Sequence, residues 1–180
     1  MHDRERGATM VEAALVLPIV LLAIVAVLEF GMAFKNWLSV SHAAREGARA
    51  GATFGNDIRA DILILDEVAQ TMAAAAGTSI KHVEIYNPQT GVGTTYTYTP
   101  GSNCNGPDCC DWTPCPDPDL PTPPYVVPVW DPVTRDVSAP VTDRLGVSIT
   151  YDHSWITGMF ATSSTFTTAV EFQIEPQIFE

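Results

Sequence analysis

The sequence predicts an α+β fold in which a long N-terminal transmembrane helix extends into an extracytoplasmic domain, where a second helix packs on an antiparallel sheet. Three observations predict it. Ala13 to Leu28 is a run of sixteen residues without a charge, close to the roughly 20 needed to span a bilayer. From Glu29 to Phe54 the chain has no proline and keeps an alanine-rich helical pattern, so the helix continues past the membrane. Beyond Gly77 the period shortens to two, in runs of Thr, Tyr and branched residues. Strands that follow helices in this order make a sheet with helices on one face.

At 180 residues the chain holds one domain with a real core beside a membrane segment. It carries 21 Asp and Glu against 9 Lys and Arg, and from Pro100 onward eleven acids face only Arg135 and Arg144. Such a surface repels phosphate backbones and anionic headgroups, which argues against nucleic-acid binding. Membrane contact therefore has to come from apolar residues. A plain signal anchor and a cleavable secretory signal, with "GMA" at Gly31 to Ala33 as its site, are the alternatives for the apolar run. Pro18 and the length of the run count against the second. Arg4 and Arg6 before the run and Lys35, Arg45 and Arg49 after it leave the positive-inside rule ambiguous.

Met10 to Phe54 reads as one helix, with Trp37 where interfacial aromatics sit. Within it Gly47, Gly51 and Gly55 recur every four residues after Ala43. This smooth row lets the domain's own sheet or a neighbouring subunit approach closely. Arg45 and Arg49, with Glu46, mark a polar face. Ile58 to Ala76 reads as a second helix, capped by Asn56 or Asp57, striped with Ile58, Ile62, Leu65, Val68, Ala69 and Met72, and stopped by Gly77. "SIKHVEIYN" alternates as a strand in which either His82 or Val83 fits the position after Ile80. "PQTG" turns and "VGTTYTYT" returns. "YVVPVW" reads as a short edge strand, and "RLGVSITYDH" and "STFTTAVEFQIEP" as two further strands. His82 reads as an exposed strand residue.

Residues 100–124 gather more than half of the fourteen prolines, all four cysteines, and Asp108, Asp111, Asp117 and Asp119. Proline at that density excludes a core element, so the stretch is expected to be a Cys/Pro-rich loop. Cys104, Cys109, Cys110 and Cys115 include no C-x-x-C pair of the kind a zinc knuckle uses. An even count in such a loop reads as disulfides, in any of three pairings, and disulfides imply an oxidising compartment outside the cytoplasm. The domain is then outside and the N-terminus inside. Clustered aspartates suggest calcium, but their spacing matches no EF-hand loop, and no metal or cofactor is expected.

Catalytic patterns are lacking: there is no G-x-S-x-G, no H-E-x-x-H and no glycine-rich phosphate loop. "YDHSW" brings Asp152, His153 and Ser154 together, but neighbours on a strand point to opposite faces and form no triad. No catalytic residue is assigned, and the chain is not read as an enzyme.

A polar leader ending in glycine, "MHDRERG", followed by "ATMVE" and an apolar helix, resembles the class III signal of type IV pilin-like proteins. The resemblance implies a cut after Gly7, Ala8 as the new N-terminus, and Glu12 as the glutamate at the fifth position of the mature chain. "ALVLPIVLLAIVAVLEFG" followed by "AAREGARAGA" is similar to TadE-like proteins, the minor pilins or pseudopilins of bacterial tight-adherence (Flp) pilus systems. Their acid-Phe-Gly pattern is matched by Glu29, Phe30 and Gly31, and their Ala-Ala-Arg-Glu-Gly-Ala-Arg run by Ala43 to Arg49. The resemblance covers about residues 4 to 55; Ala13 stands where such leaders commonly carry Phe or Tyr.

It implies a pseudopilin that acts in Flp/Tad pilus assembly or secretion by helix packing, after cleavage by a prepilin peptidase. The implied partners are other pilins or pseudopilins, the Tad membrane assembly platform and membrane lipid. The implied place is the bacterial cytoplasmic membrane, single-pass, or a cell-surface pilus. Residues 1–7 would be the leader, 8–34 the transmembrane helix and 35–180 the extracytoplasmic domain. A freed Ala8 amine would be positive, and its pairing with Glu12 across two subunits would relieve the buried acid and set the axial register. The competing reading lets Glu12 snorkel to the cytoplasmic headgroups. The alternative function is a membrane-anchored extracytoplasmic binding or adhesion module that uses the disulfide-stapled loop.

Overall fold

The computed structural model describes residues 2–73, 75, 77–100, 110–119, 125–158 and 161–177, with the side chains of residues 2–9 outside that description. Helix α1 runs unbroken through His2–Phe54, 53 residues, or about 80 Å at 1.5 Å per residue. Pro18 stands inside it without dividing it. Its C-terminal half buries Val40, Ala43, Ala44, Ala48 and Ala52, a stripe at the three-and-four spacing of an amphipathic helix. Gly55, at φ +57°, ends it by donating its N–H to the Gly51 carbonyl (3.0 Å), a left-handed cap that glycine adopts without a Cβ penalty. The Ala52 carbonyl accepts from the Glu175 N–H at 3.0 Å, so the C-terminal segment closes the helix end.

Helix α2 is Ala60–Met72, shorter than the Ile58 to Ala76 expected. Asp57 accepts from the Arg59 N–H at 2.7 Å through its side chain, so it makes a turn before the helix rather than capping it. Arg59 holds the cap position with no side-chain hydrogen bond. Ile58 consequently lies outside the helix and is exposed, whereas Ile62, Leu65, Val68 and Met72 are buried together with Ile64. Ile64 was absent from the expected stripe because the face of α2 is wide, meeting α1 on one side and the sheet on the other.

Five antiparallel strands form one sheet in the order β3-β2-β1-β4-β5. They are β1 (Thr78–Tyr86), β2 (Gly93–Tyr98), β3 (Trp112–Thr113), β4 (Arg144–Ser154) and β5 (Ser163–Gln173). A register shift between Ile80 and His82 against β4 explains the ambiguous alternation of the first strand. One extra residue lets Ile80 and Val83, three apart, both face the helices. Leu145, Val147, Ile149 and Tyr151 on β4 and Val83 and Ile85 on β1 make the buried face. The opposite face is polar, with Thr150 and Thr167 hydroxyls 2.9 Å apart across β4 and β5. One packed and one solvated face is what an antiparallel sheet allows.

Two expectations about the proline-rich region need correction. Tyr125 to Trp130 is not an edge strand: Pro128 has no N–H, and the Trp130 N–H goes to the Thr94 hydroxyl (3.3 Å) instead of a ladder. The Cys/Pro-rich stretch does supply a core element, because Trp112 and Thr113 pair with Tyr98 and Thr97 as β3. Trp112 is 2% exposed and its ring lies 4.7 Å from that of Tyr98. The disulfide Cys110–Cys115 encloses this short strand, and both cysteines are buried. Cys104 and Cys109 lie outside the described residues.

A buried polar network ties the prolines' segment to α2. Arg135 donates to an Asp61 carboxylate oxygen, and the Tyr96 hydroxyl donates to the other at 2.5 Å. The guanidinium also stacks 4.5 Å above the Trp130 ring, and all three polar residues are buried. Burial and the Asp61 carboxylate hold the Tyr96 phenol far above its ordinary pKa, so it stays a donor. Removing one member leaves the other charge unpaired in a dry site. Asp61→Ala is expected to lower stability by about 3–5 kcal/mol, read from urea unfolding of the full chain in detergent; a loss under about 1 kcal/mol would show that water reaches Arg135.

Candidate functional site

Among the described residues, the half of α1 that precedes the domain is not buried by any other part of the chain. None of residues 10–28 is buried, and this helix contains an 18-residue window of mean hydropathy 2.8 with no part of it buried. Leu15, Ile19, Val20, Leu22, Ile24 and Val27 are all exposed. A continuous apolar cylinder of this length fits a single-pass membrane anchor.

Of the predicted site residues, Gly7 and Ala8 lie within α1, with their surroundings outside the described side chains. Glu12 is exposed, and among the described residues it makes no ion pair. The glycine row faces the chain's own domain. A Cβ on Gly47 would meet the Val68 side chain at 2.6 Å, and one on Gly51 would meet Ile64 and Leu145 side chains at 2.8 Å. Gly55, at the helix cap, is approached by the Gln177 and Val137 side chains, which a Cβ there would meet at 2.7 and 3.0 Å. Arg45 and Arg49 are exposed on the other side.

Glu29 was singled out only as part of a motif, yet it is the hinge point of the architecture. It is 2% exposed and lies on the same stripe of α1 as Asn36 and Val40. Oε1 accepts from the Thr157 N–H at 2.5 Å, which fastens the segment after β4 to the helix at the end of the apolar run. Oε2 is buried without a partner. Above it the Asn36 amide and His153 Nδ1 lie 3.0 Å apart, both residues buried. The His153 ring meets Trp155 edge-on at 4.9 Å, and Trp155 meets Phe30 at 5.7 Å. On the far side of this contact an apolar groove of about 340 Å³ is lined by Phe30, Phe34, Trp37, Tyr151 and Phe166. The period of α1 was the signal that finds Glu29: extended backwards from Val40 and Asn36, the buried stripe reaches it.

"YDHSW" behaves as strand neighbours should. His153 points into the helix contact, whereas Asp152 faces the polar side, accepting from the Thr165 hydroxyl (2.5 Å) and pairing with Lys81 (3.2 Å). Among the described residues no group of three or more His, Cys, Asp and Glu is arranged to hold a metal ion. Of the loop aspartates, Asp119 pairs with Arg59 at 3.3 Å, and Asp108 lies outside the described residues. Asp111 and Asp117 act on Asp66 of α2, whose carboxyl is held above its ordinary pKa by burial first and by those two charges second.

The TadE-like protein family model matches residues 7–49, the segment whose Gly7, Glu12, Glu29-Phe30-Gly31 and Ala43 to Arg49 carry the resemblance. No curated protein and no solved structure matches the chain significantly.

Two predictions follow from this geometry. Gly51→Leu, which drives a branched side chain into Ile64 and Leu145, is expected to cost about 1–3 kcal/mol in denaturant unfolding. The carboxyls of Asp152 and Asp66 should give opposite pH signatures. The Thr165 hydroxyl and the Lys81 ammonium hold Asp152 below its ordinary value, so its contribution is present above about pH 4 and lost as pH falls through the lowered value. Asp152→Asn should therefore be less stable than the parent at neutral pH, with the gap closing in acid. Asp66 is shifted upward, so its charged form opposes folding at neutral pH. Asp66→Asn should be the more stable protein there, and its advantage should vanish as pH falls below about 4.

Proposed function

We propose that this chain is a TadE-like pseudopilin that takes part in Flp/Tad pilus assembly or secretion by packing its N-terminal helix among other pilin helices. One observation carries the reading: the segment that matches the family is also the segment whose apolar half stays uncovered among the described residues. Lipid and neighbouring helices are the two environments that can cover it.

In this reading residues 8–34 form the transmembrane helix after a prepilin peptidase cuts between Gly7 and Ala8, with Glu29 at the headgroup boundary. The domain faces the oxidising side, a placement that the disulfide between Cys110 and Cys115 supports. Glu12 and the Ala8 amine of a neighbouring subunit then form an ion pair within the helix bundle. A carboxylate in an apolar bundle needs such a partner, because unpaired it costs several kcal/mol. No chemistry at a catalytic centre is involved.

Glu12→Ala is expected to leave membrane insertion and the fold intact and to abolish co-purification with the other pilins of the system. Mass spectrometry of the mature protein should give a chain that begins at Ala8. Normal assembly of the Glu12→Ala protein sinks the pairing, and a chain beginning at Phe34 means an ordinary secretory signal.

A further inference from the structure

The hydrogen bond from the Thr157 N–H to Glu29 Oε1 ties the β4–β5 connection to α1, so the two residues share one depth along a membrane normal. Met10 to Leu28 covers about 28 Å at the helical rise, and the hydrocarbon core of a bilayer is about 30 Å thick. With that segment in hydrocarbon, residues 155–158, the described start of the connection, lie at the headgroup boundary beside Glu29.

The side chains at that level are apolar. Ile156 is 71% exposed, and Phe30 and Phe34 of α1 are exposed as well. Trp155, half-buried, meets the Phe30 ring edge-on at 5.7 Å. It donates its indole N–H to Ser164 Oγ at 2.8 Å, so it carries no unpaired donor into an apolar layer. Charge follows the same division. The chain has a net charge of −12, and Asp57, Asp136 and Glu175 are exposed at the opposite end of the domain, around the end of α1. Near the connection the acids are neutralised or buried: Asp152 pairs with Lys81 at 3.2 Å, and Glu29 is buried. Lys35, less than two turns beyond Glu29, is exposed and has the reach to keep its ammonium among headgroups.

We propose that the β4–β5 connection is a second membrane contact, in which Trp155 and Ile156 enter the interfacial layer of the bilayer together with Phe30 and Phe34. Lipid is the occupant because this surface continues the segment read as the bilayer span: Phe30 follows Leu28 by two residues, and Trp155 rests on Phe30. Aromatic and branched side chains without charge gain from burial in that layer. The contact has a mechanical consequence. A lone span tilts at small cost, whereas a second contact beside its axis selects one tilt direction, and with it the face of α1 offered to neighbouring helices. The inference deepens the pseudopilin reading and rests on its transmembrane helix.

The test places the full chain in nanodiscs of choline phospholipid that include a phospholipid with a diazirine near the ester end of its acyl chain. Irradiation releases dinitrogen, the carbene inserts into nearby bonds, and peptide mass spectrometry locates the label. Residues 30–34 and 155–158 should be labelled. Val141, 69% exposed at the far end of the domain, should not be, which separates depth from exposure. Ile156→Asp should lower labelling of residues 155–158 several-fold while that of residues 30–34 persists, with the unfolding midpoint unchanged because Ile156 is exposed. Labelling at residues 155–158 no greater than at Val141, or unchanged in Ile156→Asp, overturns the proposal. Labelling there that falls as copies per nanodisc increase overturns it in favour of a second copy as the cover. A chain unlabelled at residues 10–34 overturns the bilayer reading as well; one labelled there but not at residues 155–158 overturns this inference alone.

Discussion

The absence of a break in α1 is the constraint on which the rest depends. One hydrogen-bonded rod of His2–Phe54 passes from an uncovered apolar segment directly into the core of the domain. A helix transmits rotation and translation along its axis, so any contact that fixes the first half fixes the orientation of the sheet. The junction is reinforced where it matters. Glu29 takes the Thr157 N–H, Asn36 meets His153, and the Phe30 ring meets Trp155. These contacts bring the loop after β4 down to the end of the apolar run, and the domain therefore cannot swing freely about the helix.

The domain itself is built around close approach. Gly47 and Gly51 give α1 a surface low enough for Ile64, Val68 and Leu145 to reach its backbone side. Each glycine lowers helix propensity by about 1 kcal/mol relative to alanine, and the buried branched residues of α2 and β4 offset this. Across the same α2, Asp61 is held by Arg135 and Tyr96. That network binds the irregular, proline-containing segment of residues 125–135, in which no strand is formed among the described residues. Apolar packing sets the helix-sheet distance, and buried polar pairing locates the loop.

Legibility in the sequence followed the range of the interaction that decides each element. The long helix, the hairpin after Asn87 and the two long strands were readable, since periodicity and turn chemistry are local. The bulge after Ile80 was visible only as an ambiguity between His82 and Val83, because a bulge is defined by its partner strand. β3 was missed, since two residues carry no period and proline argued against a core element; Trp112 finds its place through Tyr98 and the neighbouring disulfide. At the candidate site, Glu12 and the leader were legible as a spacing. For Glu29 only its place on the helical stripe of Asn36 and Val40 was legible; its partner Thr157, distant in the chain, was not.

The location of the polar groups along α1 bears on how such a helix could exchange lipid for other helices. Hydrocarbon and a leucine-rich bundle are nearly equivalent solvents for Leu15 or Ile24, so transfer of the apolar face between them is driven by little more than packing. Selectivity then falls to the few groups for which the two environments differ. Glu12, exposed near the start of the run, is one. Glu29 is different: its environment is supplied by its own domain, and Oε1 keeps its Thr157 donor whichever neighbour covers residues 10–28. The glycine row is likewise already filled by Ile64, Val68 and Leu145. Among the described residues two apolar surfaces are left uncovered on the helical side, the segment before Glu29 and the aromatic groove of Phe30, Phe34, Trp37 and Phe166 beside it. They adjoin along one rod, so a single apolar partner that covers the first also reaches the second.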